Sequence, residues 1–264
     1  DAAVLRIKEA GQLLAATIDG NGRYCYLDPY EGGKLAVAEA ARNLVCVGAR
    51  PLAVTDCLNF GNPQDPEIMW QFKECVRGIA DACRAFSTPV TGGNVSFYNE
   101  GPRGAIDPTP VIGMIGLLPH ASPVTAAFKD EGDVVLLLGE TREELGGSEY
   151  LALVHRRKAG RPPRVDLPRE RALQRLMLAA AAQGLLKSAH DCSEGGLAVA
   201  LAECCIMEEQ RVVGATITFR SQQTAAGRQG AIRVDALLFG ESAGRIVVSC
   251  EPYRVEALEH LASR

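Results

Sequence analysis

The sequence lacks a long hydrophobic run and an excess of positive charge. No apolar stretch approaches the roughly 20 residues that cross a bilayer, and there is no signal-peptide pattern. Lys and Arg total 28 against 32 Asp and Glu, which leaves no basic field for nucleic acid or for an anionic membrane. We therefore expect a cytoplasmic protein that acts on small molecules, with no nucleic-acid or membrane partner.

The sequence also lacks the short motifs that mark common metal and nucleotide sites. There is no C-x-x-C pair and no H-x-x-x-H pair, so spacing supports neither a zinc site nor a Ser/His/Asp triad. There is no P-loop and no G-x-G-x-x-G between a strand and a helix, so a phosphate site would belong to another class. The nine cysteines are odd in number and several fall on apolar helix faces. They are typical of small buried hydrophobes in a reducing compartment.

Strands and helices alternate along the chain. Asp65 and Pro66 predict the start of a long helix that ends near Phe86, because Asp is a good N-cap and Pro fits the first turn. The other predicted elements are a strand over Gln12–Asp19, a helix over 34–47 closed by Gly48, a strand that breaks at Asp56 and Asn59, strands over 88–98 and 110–119, a buried strand over 134–140, helices over 169–184 and after Ser193, a strand over 244–251 and a helix over 252–262. This pattern predicts an α+β (mixed α/β) fold with two domains, 1–130 and 131–264.

Four loops combine glycines with carboxylate or amide side chains. They are DGNGRYCYLDPYEGG (19–33), TDCLNFGNP (55–63), TGGNVSFYNE (91–100) and HDCSEGG (190–196). Such loops at strand ends hold phosphates through backbone N–H groups and divalent metals through oxygen atoms. The last three loops also have a purely structural explanation.

The second and third loops leave both interpretations open. Asp56 and Asn59 could form side-chain turns, or Asp56 could be an oxygen ligand near a nucleotide. The glycines before Asn94 could form a β-bulge, with Asn94 satisfying a local turn. Alternatively, they could admit a phosphate or metal, with the Asn94 amide oxygen and the Ser96 hydroxyl as ligands.

Structural roles are favoured at three other places. Ser193 is a natural N-cap for the helix that follows, although a helix start rich in glycine is also a good anion site. Glu241 and Ser242 precede a strand and could hydrogen-bond a neighbouring backbone or frame a cleft. The basic stretch HRRKAGRPPR (155–164) is typical of a solvated loop rather than an anion-binding patch.

Together these segments carry a family resemblance. The four loops, LGGSEYLALVH with GRPPRVDL, and FGESAGRIVVS occur in the order found in the phosphoribosylformylglycinamidine synthase family. The sequence resembles the second half of the large synthetase subunit of that family over essentially all of its length. More distantly, it is similar to aminoimidazole ribonucleotide synthetase, selenophosphate synthetase and thiamine monophosphate kinase.

The resemblance implies a function and an architecture. It implies an ATP-dependent ligase of purine synthesis that converts formylglycinamide ribonucleotide and ammonia into the amidine, with Mg²⁺ and ATP. It implies a two-domain architecture whose N-terminal unit forms half of a paired barrel. The partners would be the first half of the same subunit and a glutaminase that supplies ammonia, and the isolated chain could homodimerise through its pairing surface.

The resemblance also implies site roles. By motif, Asp56 and Gly93 match ATP-binding positions, Asn94 a magnesium ligand and Ser96 a substrate contact. The S-H-N-H-P motif that carries the family's catalytic histidine does not occur, so no catalytic residue is assigned. We therefore expect a piece of a longer protein that lacks the first half and a short C-terminal tail. The alternatives are a non-catalytic nucleotide-binding and assembly half, or another ATP-dependent synthetase or kinase of the superfamily.

Overall fold

A computed structural model of the protein describes residues 1–102, 104–119, 122–218 and 232–263. Residues 219–231 and Arg264, which belong to the second predicted domain, lie outside the described residues. No helix within the described ranges is long and apolar enough to span a bilayer.

The first part of the chain forms one twisted sheet covered on one face by helices. Its elements are β1 (Ala3–Ile7), β2 (Gln12–Asp19), α1 (Gly22–Leu27), α2 (Pro29–Cys46), β3 (Arg50–Asn59), α3 (Pro66–Phe86), β4 (Val90–Ser96), a small hairpin of β5 (Glu100–Gly101) and β6 (Gly104–Ala105), and β7 (Thr109–Leu118). The strand order in the sheet is β1-β2-β7-β3-β4, so β4 is an edge strand. Only β3 and β4 pair in parallel.

Helices α2 and α3 begin where an Asp precedes a Pro. Asp65 accepts from the backbone N–H of Glu67, and α3 spans the residues that the sequence predicts. Asp28 caps α2 in the same way through the N–H of Glu31, so α2 starts at Pro29 rather than near the predicted position 34. Apolar residues of both helices pack on the alternate buried positions of the strands and form the main hydrophobic core.

The second part of the chain builds a smaller antiparallel sheet. Its elements are β8 (Val134–Leu138), α4 (Glu149–Leu153), α5 (Leu167–Ala182), β9 (Ser188–Asp191), α6 (Gly196–Ile206), α7 (Val234–Phe239), β10 (Ile246–Cys250), a 3-10 turn (Pro252–Arg254) and α8 (Val255–Ala262). The strand order is β8-β10-β9. The prediction that β8 is buried is wrong, because β8 is an edge strand whose residues are half-buried or exposed, whereas central β10 is buried throughout.

Two further details differ from the prediction. The N-cap of α6 is Gly195 with φ +83°, not Ser193, whose side chain does not cap the helix. Strand β3 continues unbroken through Asp56 to Asn59, because both of its edges pair with neighbours over that length. All nine cysteines are described and are free thiols; seven are buried and two half-buried, as the sequence predicts.

The two sheets share buried contacts. Val45 and Cys46 at the end of α2 pack in one cluster with Leu173 and Met177 of α5 and with β10. The division at residue 130 stays a prediction, because α2 contributes to the cores of both sheets.

Candidate functional site

The ends of β2, β3 and β4 and the start of β7 lie along one edge of the larger sheet. Asn59 pairs with Thr109 on one side and with Ser96 on the other, and Asp19 pairs with Ile112 near the same edge. Three of the four glycine-bearing loops begin or end at this rim. The rim therefore brings together segments that are far apart in the sequence.

The four predicted site residues divide between the two faces of the sheet. Asp56 pairs with Gly93, and both share the face of Val54 and Leu58, which is covered by the helices. Asn94 pairs with Cys57 and therefore lies on the open face. Because side chains alternate along a strand, Ser96 shares that open face with Asn94.

Gly93 is tightly packed and Gly92 is not. A Cβ atom at Gly93 would lie 2.0 Å from Asp56 Oδ1 and 2.6 Å from the Asp56 carbonyl oxygen. A Cβ atom at Gly92 would meet nothing within 4 Å. The Asp56 carboxylate therefore gives Gly93 a structural reason to be glycine, independent of any ligand.

The β-bulge predicted for this loop is present, one residue before the glycines. Val54 pairs with Val90 and Thr55 pairs with Gly92, which leaves Thr91 as the extra residue. The side chain of Asn94 is exposed, and it makes no hydrogen bond within the part of the chain that the structure describes, so it does not satisfy a local turn. Its amide oxygen remains available to a ligand.

Asp56 is half-buried against the helical face. Burial raises the pKa of its carboxyl group. Among the described residues no donor hydrogen-bonds to it. Asn59, in contrast, donates from Nδ2 to the carbonyl oxygen of Cys57 two residues before it and to that of Thr109 on the neighbouring strand β7, each bond 3.1 Å long. A local side-chain bond is therefore present at Asn59 but not at Asp56 among the described residues.

A second group of glycine-bearing segments meets at the buried carboxylate of Glu241. Glu241 Oε1 accepts from the backbone N–H of Glu149 at 2.8 Å and from that of Gly195 at 2.7 Å. Glu241 Oε2 accepts from the hydroxyl of Tyr24 in α1. Burial is the main cause that raises the pKa of Glu241. The prediction that Glu241 bonds a neighbouring backbone is confirmed.

Two backbone N–H groups at the start of α6 are already engaged within the chain. The N–H of Gly195 bonds the Glu241 carboxylate, and the N–H of Gly196 donates to the carbonyl oxygen of Ser193 at 3.0 Å. Asn21 adds a further link, since it caps α1 and donates to Glu194 Oε1 at 2.9 Å. Glu241 thus joins the first glycine loop to the second sheet.

A buried arginine connects the two sheets below the rim. Arg42 of α2 donates to Asp191 Oδ1 at 2.6 Å and to Glu170 Oε1 at 2.7 Å, and all three side chains are almost completely buried. Burial raises the pKa of Glu170 to about 7 although Arg42 opposes the shift. Burial also raises the pKa of Asp19 to about 6 and that of Glu39 to about 8, and neighbouring carboxylates add to both shifts. Part of this acidic group therefore keeps its protons near neutral pH.

The basic stretch 155–164 is an irregular, largely exposed loop, as the sequence predicts. One residue departs from the solvated-loop interpretation. Lys158 Nζ lies 2.7 Å from Asp107 Oδ1 and 3.5 Å from the centre of the Tyr26 ring, so it ties the loop to the first sheet. The other basic side chains make no comparable contact across the two sheets among the described residues.

The described residues do not by themselves present a carboxylate-rich metal centre. Among the described residues, no group of three or more His, Cys, Asp or Glu side chains is arranged to hold a metal ion. Asn94 offers one hard oxygen ligand, which suits Mg²⁺, and Mg²⁺ in nucleotide sites takes most of its ligands from phosphates and water. The residues present therefore fit a shared magnesium site and not a self-contained one.

Sequence reasoning missed the polar contacts that organise the rim. Asn99, which bonds both Ser96 and the end of β3, is part of the third loop but was assigned no role. Tyr24 and Arg42 were missed because their partners lie 217 residues and at least 128 residues away. Their only sequence signal is a polar group on an otherwise apolar helix face.

Comparison with known proteins identifies relatives of the whole chain. Residues 1–118 match the family described as AIR synthase related protein, N-terminal domain, and residues 130–264 match its C-terminal domain. The chain is 56% identical over 253 residues to phosphoribosylformylglycinamidine synthase subunit PurL of Moorella thermoacetica. The matched region covers 96% of this chain and 33% of that protein. The chain thus spans about a third of the length of the curated relatives it matches.

Solved structures share the fold. Thermotoga maritima PurL complexed with FGAR superposes with a TM-score of 0.77 at 20% identity, over 100% of this chain and 42% of that one. The same protein complexed with ATP gives a TM-score of 0.70 at 19% identity, over 100% and 40%. The predicted resemblance and the mixed α/β fold are confirmed. The chain belongs to the AIR synthase related protein family.

Proposed function

We propose that this chain is part of an ATP-dependent carbon–nitrogen ligase that converts formylglycinamide ribonucleotide and ammonia into the amidine, with release of ADP and phosphate. The observation that carries the proposal is the 56% identity to a subunit named phosphoribosylformylglycinamidine synthase PurL across 96% of the chain. The Thermotoga maritima relatives of the same fold are described as complexes with FGAR and with ATP. The implied process is purine biosynthesis in the cytoplasm.

The open face of the larger sheet supports a role for Asn94 and Ser96. Both lie on the open face of the edge strand β4, and Asn94 is free to offer its amide oxygen. We assign Asn94 to Mg²⁺ and Ser96 to the substrate. Mg²⁺ would neutralise the charge that develops on the transferred phosphoryl group, while these residues align the reactants.

We assign Asp56 and Gly93 to ATP on the condition that the nucleotide approaches the sheet at its β4 edge. They share the helix-covered face, opposite to Asn94. Because the outer edge of β4 pairs with no other strand of the described residues, a nucleotide that approaches this edge can reach both faces. The tight contact between Gly93 and Asp56 would then shape the edge that the nucleotide meets.

The exposed face of the larger sheet supports the proposal of a partner that covers it. Apolar side chains on the open face include Ile18, 77% exposed, and Ile115, 47% exposed. Such a surface, next to an unpaired edge strand, is typical of an interface. We propose that the first half of the same subunit covers it and supplies the proton-transfer group, and that a glutaminase supplies ammonia.

The test is the Asn94→Ala variant in the full-length protein that contains this chain. ADP release that depends on the ribonucleotide should fall by at least about tenfold, because a metal ligand is lost. Val95→Ala is the matched control, since Val95 is the neighbouring exposed side chain on the other face. Equal turnover of the Asn94 variant and the wild type at limiting Mg²⁺ would remove Asn94 from the metal site.

A second candidate function is favoured by the same exposed edge. The chain could serve as an assembly half whose own nucleotide cleft is structural, and alone it could homodimerise through the open face. In that case full-length Asn94→Ala and Ser96→Ala variants would keep full turnover. Substitution of Ile18 and Ile115 by Asp would still abolish pairing, measured by sedimentation velocity.

A further inference from the structure

Asn99 lies in a tight connection that follows β4. Its backbone N–H donates to the carbonyl oxygen of Phe60 at 3.1 Å, and Tyr98 before it adopts a left-handed conformation with φ +59°. A non-glycine residue in this conformation is strained and needs surrounding contacts to hold it. Those contacts turn the Asn99 side chain back toward the end of β4.

The orientation of the Asn99 amide is fixed by two carbonyl groups. Nδ2 donates to the carbonyl oxygen of Phe60 at 2.9 Å and to that of Ser96 at 2.8 Å. A flipped amide would set its oxygen against both carbonyl oxygens and lose both bonds. The oxygen Oδ1 must therefore be the atom that faces the Ser96 hydroxyl, 3.2 Å away.

This orientation determines what the Ser96 hydroxyl can do. An amide oxygen cannot donate, so the proton of Ser96 Oγ points to Asn99 Oδ1. A serine hydroxyl has one proton and two lone pairs, so only lone pairs remain for a ligand. Near pH 7 a phosphate monoester is also mainly an acceptor, since its second pKa is about 6. Two acceptors cannot share a hydrogen bond.

We propose that Asn99 is a positioning residue that turns the Ser96 proton inward, so that Ser96 accepts a hydrogen bond from an N–H or O–H group of the substrate and does not bind its phosphate. The inference rests on the proposed function, which assigns Ser96 to the substrate. It adds which chemical group of the substrate Ser96 recognises. Formylglycinamide ribonucleotide carries both amide N–H and ribose O–H donors.

Paired ligands with and without the phosphate test the group that Ser96 contacts. In the full-length protein, Ser96→Ala should weaken binding of formylglycinamide ribonucleotide about two- to tenfold, the value of one neutral hydrogen bond. The same factor should appear with the ribonucleoside that lacks the 5′-phosphate, measured by calorimetry. An effect of Ser96→Ala that disappears with the ribonucleoside would place Ser96 at the phosphate and overturn the proposal.

The role of Asn99 has its own variants. Asn99→Ala should raise KM for the ribonucleotide by a similar factor and leave KM for ATP unchanged. The double variant with Ser96→Ala should be no worse than Ser96→Ala alone, because the two residues act through one contact. Asn62→Ala is the matched control, since among the described residues its amide oxygen accepts only from Gln64 N–H, in an exposed turn nearby. If the losses of the two single variants multiply in the double variant, or if Asn99→Ala raises both KM values equally, then Asn99 has a general structural role.

A direct measurement separates this inference from the proposed function. Neutron diffraction on wild-type crystals should place the Ser96 hydroxyl hydrogen toward Asn99 Oδ1. A hydrogen that points to solvent contradicts the inference whatever the enzyme does. A wild-type protein that releases no ADP with the ribonucleotide would instead contradict the proposed function, while the measured orientation of the Ser96 hydroxyl would still stand.

Discussion

Substitution of Gly93 by alanine should destabilise the protein, whereas the same change at Gly92 should not. The new methyl group at 93 would lie 2.0 Å from Asp56 Oδ1 and 2.6 Å from the Asp56 carbonyl oxygen. The carboxylate can rotate, but the carbonyl belongs to a strand paired on both sides. Overpacking of this kind costs about 1–3 kcal/mol, and we expect about 2 kcal/mol.

Gly92 is the matched control in the same strand. Its Cβ position is open and its φ is not in the left-handed region. Alanine there reduces the freedom of the unfolded chain, so we expect no loss or a gain of about 0.5 kcal/mol. Urea unfolding of both variants measures the difference.

Removal of the clashing carboxylate should recover part of the loss. Asp56→Ala combined with Gly93→Ala removes the contact to Oδ1 but keeps the contact to the carbonyl oxygen. We expect the double variant to recover about half of the cost, as a coupling energy of about 1 kcal/mol. Equal stability of the Gly92 and Gly93 variants would refute the packing argument.

Three further predictions concern the contacts between the sheets. Arg42→Ala leaves two buried carboxylates without their cation and should cost about 3–5 kcal/mol. In the same urea titration Arg84→Ala, which breaks an exposed ion pair with Asp81, should cost less than about 1 kcal/mol. Tyr24→Phe should cost about 2 kcal/mol because it removes a donor to the buried Glu241 carboxylate, and a change below about 0.5 kcal/mol would mean that the bond is unimportant. Burial raises the pKa of Glu39 to about 8, so between about pH 5 and pH 8 the folded state holds a proton that the unfolded state has lost. The free energy of unfolding should therefore fall as the pH rises through this range. Glu39→Gln should make that decline shallower, by at most about 1.4 kcal/mol per pH unit.

Local signals predicted much of the fold. The Asp–Pro pair at 65–66 and the apolar spacing that follows define α3 without any tertiary information. The same Asp–Pro signal at 28–29 also starts α2, but the glycines of the next turn concealed it. Short apolar runs predicted β2 and β7 correctly, whereas the similar run in β8 resembled a buried strand although it lies at a sheet edge.

The arrangement of the site depended on information that local sequence does not contain. The bulge at Thr91 sets which residues of β4 face the helices, and with it the separation of Gly93 from Asn94. A register shift of one residue would exchange the two faces. The acceptors that fix the Asn99 amide are backbone carbonyls, which every residue has, so no side-chain pattern announces them.

Complementation between this chain and the rest of the longer protein would show whether this chain supplies one wall of an active site, with Asn94 and Ser96 on the open face of its sheet. The chain would be mixed with the separately produced remainder of the longer protein, and amidine formation would be followed with ATP, ammonia and formylglycinamide ribonucleotide. We expect activity only when both parts are present, and loss of that activity when this chain carries Asn94→Ala. Amidine formation without this chain, or full activity with the Asn94→Ala chain, would contradict this expectation.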